Sequence, residues 1–307
     1  MNISYINQII RTLPFPEEAR TSLLSAANTV HTIDESDFLR AVSFYRENSF
    51  SYKETEPLLE IAADKTGIPL YTINLLMLLS CLELLEEEYK ARGIDRQVFL
   101  DTASDFCCKA QECYTVHGVW GCFVTAWYTI LFKVQLFKLG RLEYQIYHYN
   151  STITYNRHGI YLDEKTPVLA LHIPSGAPLP EEECLASYSL AADFFKDFLI
   201  GGVLPCTCSS WLLHPSTEYV LSPSSNIITF ASHFDIVQHH DQDSFSDAWR
   251  VFGRDAGQPA ELLPENTSMQ RAYKRYLLSG GKTGSGFGVL LFDGNKVITG
   301  SQGGQAL

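Results

Sequence analysis

Residues 167–198 read PVLALHIPSGAPLPEEECLASYSLAADFFKDF, and this stretch decides the fold. Val168–Ile173 is a short, nearly continuous apolar run, the pattern of a strand covered on both faces. The strand is expected to end at His172, with a tight loop over Ile173–Leu179 and an amphipathic helix from about Pro180 to Phe198. A strand that passes through a short loop into a helix leaves backbone N–H groups pointing outward, where many α/β proteins bind anions. Pro174, Pro178 and Pro180 have no N–H to give, whereas Ser175, Gly176, Ala177 and Leu179 do. Glu181, Glu182 and Glu183 in the first turn stabilise the helix through its dipole and compete with any bound anion. Two readings follow: an anion-binding loop, or a capped strand-to-helix connection.

Working outward, the period of the sequence changes near residue 139. Before it, the pattern is helical. Phe38, Val42 and Tyr45 follow an acidic helix start, Leu70–Tyr89 forms a long amphipathic helix behind Pro69, and Gly93 ends it. Val98–Tyr114 and Cys122–Phe137 read as two more helices. After Gly140 the strands begin. Arg141–Tyr149 alternates, and Ser151–Leu162 is expected to be its hairpin partner. Beyond the helix, Val203–Leu213 reads as a strand, as do Ile236–His240 and Ala248–Phe252. Asn266–Leu278 reads as a helix, and Val289–Phe292 with Lys296–Thr299 as a final hairpin around Asp293-Gly294-Asn295. No repeat or low-complexity linker interrupts the chain.

Composition narrows the partners. The 307 residues are 46% hydrophobic and 19% charged, ordinary for a globular chain with a real core. A formal charge of −12 argues against nucleic acid or an anionic membrane surface as the main partner. Met1–Arg11 shows neither a basic nor a continuous apolar export region, and Ile68–Leu85 and Val119–Leu139 carry polar residues at helical spacing. A cytoplasmic protein without a membrane span is expected. The eight cysteines then read as reduced thiols.

Several motifs lead elsewhere and fail. Gly280–Gly288 contains Gly-Lys-Thr, but it follows a helix and precedes a strand, the reverse of a phosphate-binding loop, and reads as a flexible connection. The cysteines show no paired Cys-x-x-Cys spacing, and His233, His239, His240, Asp241 and Asp243 read as a solvated polar run, so no metal is expected. No Gly-x-Ser-x-Gly elbow is present.

The order β-β-β-α-β-α-β-β in the second half resembles the core of the GNAT (Gcn5-related N-acetyltransferase) superfamily without its first strand and helices. The segments Leu171-His-Ile-Pro-Ser-Gly, Trp211-Leu-Leu-His-Pro, Ser225-Asn-Ile, Trp249-Arg-Val-Phe-Gly and Leu263-Pro-Glu-Asn-Thr-Ser-Met-Gln-Arg are similar to a bacterial family of acyltransferase domain-containing proteins. The resemblance covers essentially the whole chain. It implies an α+β protein: a helical N-acyltransferase N-terminal domain at 1–139, then a GNAT-like mixed α/β sheet domain at 140–307. It further implies acyl-CoA or acetyl-CoA as co-substrate and a small-molecule acyl acceptor. The alternative is a catalytically inactive GNAT-like module that binds a small molecule or a protein.

In that superfamily the loop after the fourth strand binds the CoA diphosphate through Arg/Gln-x-x-Gly-x-Gly/Ala. Here the loop is Ile173, Ser175, Gly176, Ala177 and Leu179 with its prolines; Ile173 stands at the Arg/Gln position and Pro178 at the last Gly/Ala. His172 ends the fourth strand and serves either as general base or as a hydrogen-bonded structural histidine. Glu143 is a second base or a solvated strand residue. Tyr219 lies about where the superfamily places the tyrosine that protonates the leaving thiolate. Trp211, at the end of the fifth strand, lines the substrate cleft or packs in the core.

Overall fold

The computed structural model describes residues 2–300. The chain forms two compact units, Met1–Lys138 and Leu139–Leu307. The first is helical. At its centre lies Leu70–Ala91, a helix that enters from Pro69 with extended ψ. Ile73 and Leu75–Leu79 are all 0% exposed, so this helix is buried all round in its first half, not amphipathic as its charged end suggested. Among the described residues no single helix is long and apolar enough to cross a membrane.

Two of the expected helices divide. Val98–Tyr114 is two helices, Arg96–Ala103 and Asp105–His117. Cys122–Phe137 becomes a 3-10 turn at Thr125–Tyr128, a short helix at Thr129–Phe132 and the first strand, β1, at Leu136–Leu139. Tertiary hydrogen bonds explain the break. Cys122 N donates to Tyr71 O (2.8 Å), while Asn74 Nδ2 (3.4 Å) and Thr125 Oγ1 (3.2 Å) both donate to Cys122 O. That backbone is claimed before a helix can claim it.

The second unit is built on a six-stranded sheet. Its strands are β1, β2 (Leu142–His148), β5 (Pro167–His172), β6 (Leu204–Ser210), β7 (Asp235–Asp241) and β8 (Gly284–Phe292), in the spatial order β1-β2-β5-β6-β8-β7. β3 (Tyr155–Arg157) and β4 (Ile160–Leu162) form a separate two-stranded hairpin. The partner of β2 is thus β5, antiparallel, and not the 151–162 segment expected from sequence. Residues 151–162 turn back on themselves at His158-Gly159. Tyr155, Ile160 and Leu162 then bury against Tyr149, Val168, Val289 and Leu291. Ala248–Phe252, expected as a strand, is a helix: its buried residues Ala248 and Phe252 are four apart, a helical spacing.

Gly280–Gly288 differs most from expectation. From Gly284 onward it is strand β8, inserted between β6 and β7. The alternating glycines make that insertion possible. A Cβ at Gly284 would lie 1.9 Å from His240 O, and one at Gly286 would lie 2.2 Å from Leu213 O. The final hairpin is short, with Ile298 N donating to Leu291 O across the turn at Asp293–Lys296.

The helix Glu181–Phe194 covers one face of the sheet. Tyr144 and Ser187, both buried, share a 2.9 Å hydroxyl–hydroxyl bond, and Ser187 also donates to Leu139 O. Tyr144 therefore marks the helix-covered face, and the strand alternation sends Glu143 and Gln145 to the other.

Candidate active site

β5 and β6 are the parallel neighbours in the sheet, and their pairing is brief. It covers Leu169↔Cys206 and Ala170↔Thr207 only. β5 runs on two residues to His172, and β6 three to Ser210, without further pairing between them. The carboxyl ends of the two strands therefore part in a V. Open α/β sheets bind ligands at such a point, outside the carboxyl ends of parallel strands.

His172 stands at that opening, half-buried. Its antiparallel neighbour across β2–β5 is Glu143, and the next residue on the same face is Gln145, which faces Ala170. Glu143 is 1% exposed. Its burial corrects the expectation of a solvated strand residue. His172 Nε2 lies 2.9 Å from Gln145 Oε1. An amide oxygen only accepts, so in this pair Nε2 is the donor. On the β6 side, Thr207 is paired with Ala170 and so shares this face, with Ser209 two residues on. The sheet thus brings Glu143, Gln145, His172 and Ser209 to the same end of one face.

The loop 173–180 leads from the V into the helix at Glu181. Gly176 has φ of +89°, a backbone conformation that suits glycine. Among the described residues, the N–H groups of Ser175, Gly176, Ala177 and Leu179 donate to no backbone carbonyl. These are donors an anionic ligand needs. Ile173 is half-buried, and Leu179 is buried at 6% exposure and anchors the loop. The loop's own residues include no cation, yet the fold supplies one. Arg141, before β2, donates from Nε to Pro178 O and from Nη2 to Ala177 O, each at 2.7 Å. Its charge is felt at the start of the helix. Burial pushes the Cys184 thiol up to about 11, Arg141 opposes that rise, and Glu183, Glu181 and Glu182 add to it.

Two more of the predicted site residues, Trp211 and Tyr219, lie in the segment that follows β6. Trp211 sits in a 3-10 turn after β6, its ring centroid 5.7 Å from those of both Phe245 and Tyr273, within an apolar cluster. Its surroundings are those of a packing residue. Tyr219, on the five-residue helix Ser216–Val220, is 81% exposed. Among the described residues, no cluster of three or more His, Cys, Asp or Glu side chains is arranged to hold a metal.

A sheet opened between two parallel strands, with a donor loop at the opening, defines a GNAT-like domain. The model of the GNAT-like C-terminal domain matches residues 136–290, and that of the N-acyltransferase N-terminal domain matches residues 5–134. The chain belongs to the family that joins these two domains. A search of curated proteins finds no match. Among solved structures, the chain is similar to an acyltransferase in complex with decanoyl-CoA and teicoplanin, at 22% identity and a TM-score of 0.66, over 92% of this chain and 86% of that one. An acyltransferase mutant in complex with octanoyl-CoA gives 22% identity and a TM-score of 0.67, over 91% and 86%. An acyltransferase in complex with decanoyl-CoA gives 20% and 0.64, over 94% and 99%. At this identity the likeness establishes the fold.

Proposed function

We propose that the chain is an acyltransferase that moves an acyl group from an acyl-CoA thioester to an amine or similar small nucleophile. The observation that carries this reading is the V between β5 and β6, with His172 at its mouth and the donor loop 173–180 beside it. The acyl-CoA ligands of the similar structures support the same co-substrate. We assign residues 1–139 and 140–307 to the helical and GNAT-like domains, and the cytoplasm as the compartment; eight free cysteines suit its reducing conditions.

In the reaction the acceptor's nucleophilic atom bonds to the thioester carbonyl carbon, and Nδ1 of His172 takes its proton. Gln145 keeps the other ring nitrogen protonated and the ring aligned. Glu143, opposite His172, lines the same face. As the carbonyl re-forms, the carbon–sulfur bond breaks and CoA leaves as thiolate. The thiolate takes a proton from Tyr219 or from water, and Tyr219→Phe distinguishes the two: an unchanged rate assigns the step to water. Backbone N–H groups of Ser175, Gly176, Ala177 and Leu179 hold the CoA diphosphate.

The test is thermal stability with and without CoA and acetyl-CoA. Ligand at one hundred times its dissociation constant adds about 2.7 kcal/mol to the native state, which is readily seen as a higher Tm. No shift with either ligand would overturn the acyltransferase reading and leave the non-catalytic binding module in its place.

A further inference from the structure

We propose that Arg141 is the positioning residue of the diphosphate loop, supplying from another strand the cation that the loop's own sequence lacks. The inference rests on the acyl-CoA reading above. The loop carries Ile173 where the superfamily has Arg or Gln, and Glu181, Glu182 and Glu183 follow it in the first turn of the helix. Left alone, such a loop faces a diphosphate with three nearby negative charges and no positive one. Arg141 changes both its shape and its charge.

The shape argument is geometric. The guanidinium fork takes the carbonyls of Ala177 and Pro178 together, at 2.7 Å each. Among the described residues no peptide bond is cis. In a trans peptide the C=O and N–H point in opposite directions, so fixing Pro178 O toward Arg141 aims the N–H of Leu179 the other way. That donor is the last of the loop before the helix. Carbonyl oxygens that faced a diphosphate would repel it, and Arg141 holds two of them elsewhere. A planar guanidinium is suited to bridging two acceptors at once, and an ammonium is not.

The charge of Arg141 supports the same reading. Arg141 and the three glutamates act in opposite senses on the same buried group, Cys184, in the first turn of the helix. The cation therefore lies within range of the glutamates' field. It offsets the field that would otherwise exclude an anion from this helix start.

The experiment is calorimetric titration of the whole protein with CoA and with pantetheine, which lacks the diphosphate and nucleotide. The proteins compared are wild type, Arg141→Met and Arg141→Lys. We expect Arg141→Met to weaken CoA at least tenfold and pantetheine less than twofold. In turnover its KM for acyl-CoA should rise by the same factor with kcat within threefold. Arg141→Lys keeps the charge without the fork and should fall between. Equal CoA affinity in wild type and Arg141→Met overturns the proposal while leaving the acyl-CoA reading intact. Parallel loss of CoA and pantetheine marks a merely structural arginine and also overturns it. Absence of CoA binding by wild type overturns the acyl-CoA reading itself, and the proposal with it. If Arg141→Met does not fold, the selective loss is read from Arg141→Lys alone.

Discussion

His172 and Gln145 meet across the β2–β5 ladder, with Nε2 2.9 Å from Oε1, so a side chain on one strand orients a histidine on the next. In the proposed mechanism Nδ1 of the same ring takes the acceptor's proton. His172→Ala should lower kcat by about 10²- to 10⁴-fold, the usual range for a lost general base, with CoA affinity unchanged by calorimetry. Gln145→Leu removes only the orienting acceptor. It should lower kcat about tenfold and leave the KM for acyl-CoA in place, a smaller effect than losing the base itself. An active His172→Ala enzyme would remove the base from the mechanism.

Asp235 pins the β3–β4 hairpin to the start of β7. Its Oδ2 accepts from Tyr155 (2.8 Å) and meets His158 Nε2 at 2.9 Å, while Oδ1 accepts from Gly300 N. Burial alone would raise its pKa, but the Gly300, Tyr155 and His158 contacts outweigh burial and hold it below the usual carboxylate range. A carboxylate that ionises more readily when folded contributes stability above its unfolded pKa of about 3.9. That contribution is lost as pH falls through the folded value. Asp235→Asn should cost about 1–3 kcal/mol at pH 7 by denaturant unfolding. The gap to wild type should narrow as the pH is taken below about 4.

His233 shifts in the same sense for a different reason. It is buried, at 7% exposure, with Nδ1 3.1 Å from Tyr188 OH. Burial lowers its pKa, and the pull of Glu181 the other way is smaller. The unfolded chain therefore binds the proton more tightly, and stability is lost as pH drops below the unfolded value of about 6.5. Melting curves from pH 7 to pH 5 should show a decline in wild type that is flatter in His233→Gln. Equal slopes would remove His233 as its source.

Glycines at two places carry different burdens. Gly286→Ala puts a methyl group 2.2 Å from a backbone oxygen in the middle of the sheet. It should cost about 3 kcal/mol, the upper range of overpacking, because backbone cannot step aside. Gly176→Ala meets no atom within 4 Å and is strained only by its φ of +89°. Its cost should be about 1–2 kcal/mol. Differential scanning calorimetry should order the two variants accordingly.

The local part of this architecture was legible. Val168–Leu171 declares a buried strand, the prolines and Gly176 declare a loop, and three glutamates declare a helix start. Each of these signals acts within a few residues, so a linear reading recovers them. The fold class and the family follow from their order. Pairing was not legible. Whether β2 lies beside residues 151–162 or beside β5 depends on which backbone captures it, and alternation along one strand says nothing of its neighbour. The helix expected over 122–137 failed for the same reason, since Asn74, on a distant helix, holds its first carbonyl. Gly280–Gly288 looked like a flexible connection because small residues suit both a loop and a tightly packed strand. Only Leu213 and His240, pressed against it, decide between them.

At the candidate site the division is equally clear. The sequence by itself determined that a histidine ends a buried strand and that a proline-rich, acidic loop follows it. Only the tertiary structure decided that Gln145 orients His172, that Glu143 is buried opposite, and that Arg141 reaches carbonyls 36 and 37 residues away. Hydrogen bonds and charges act through space over a few ångströms. The residues they join are made neighbours by sheet pairing, which no local pattern in the chain encodes.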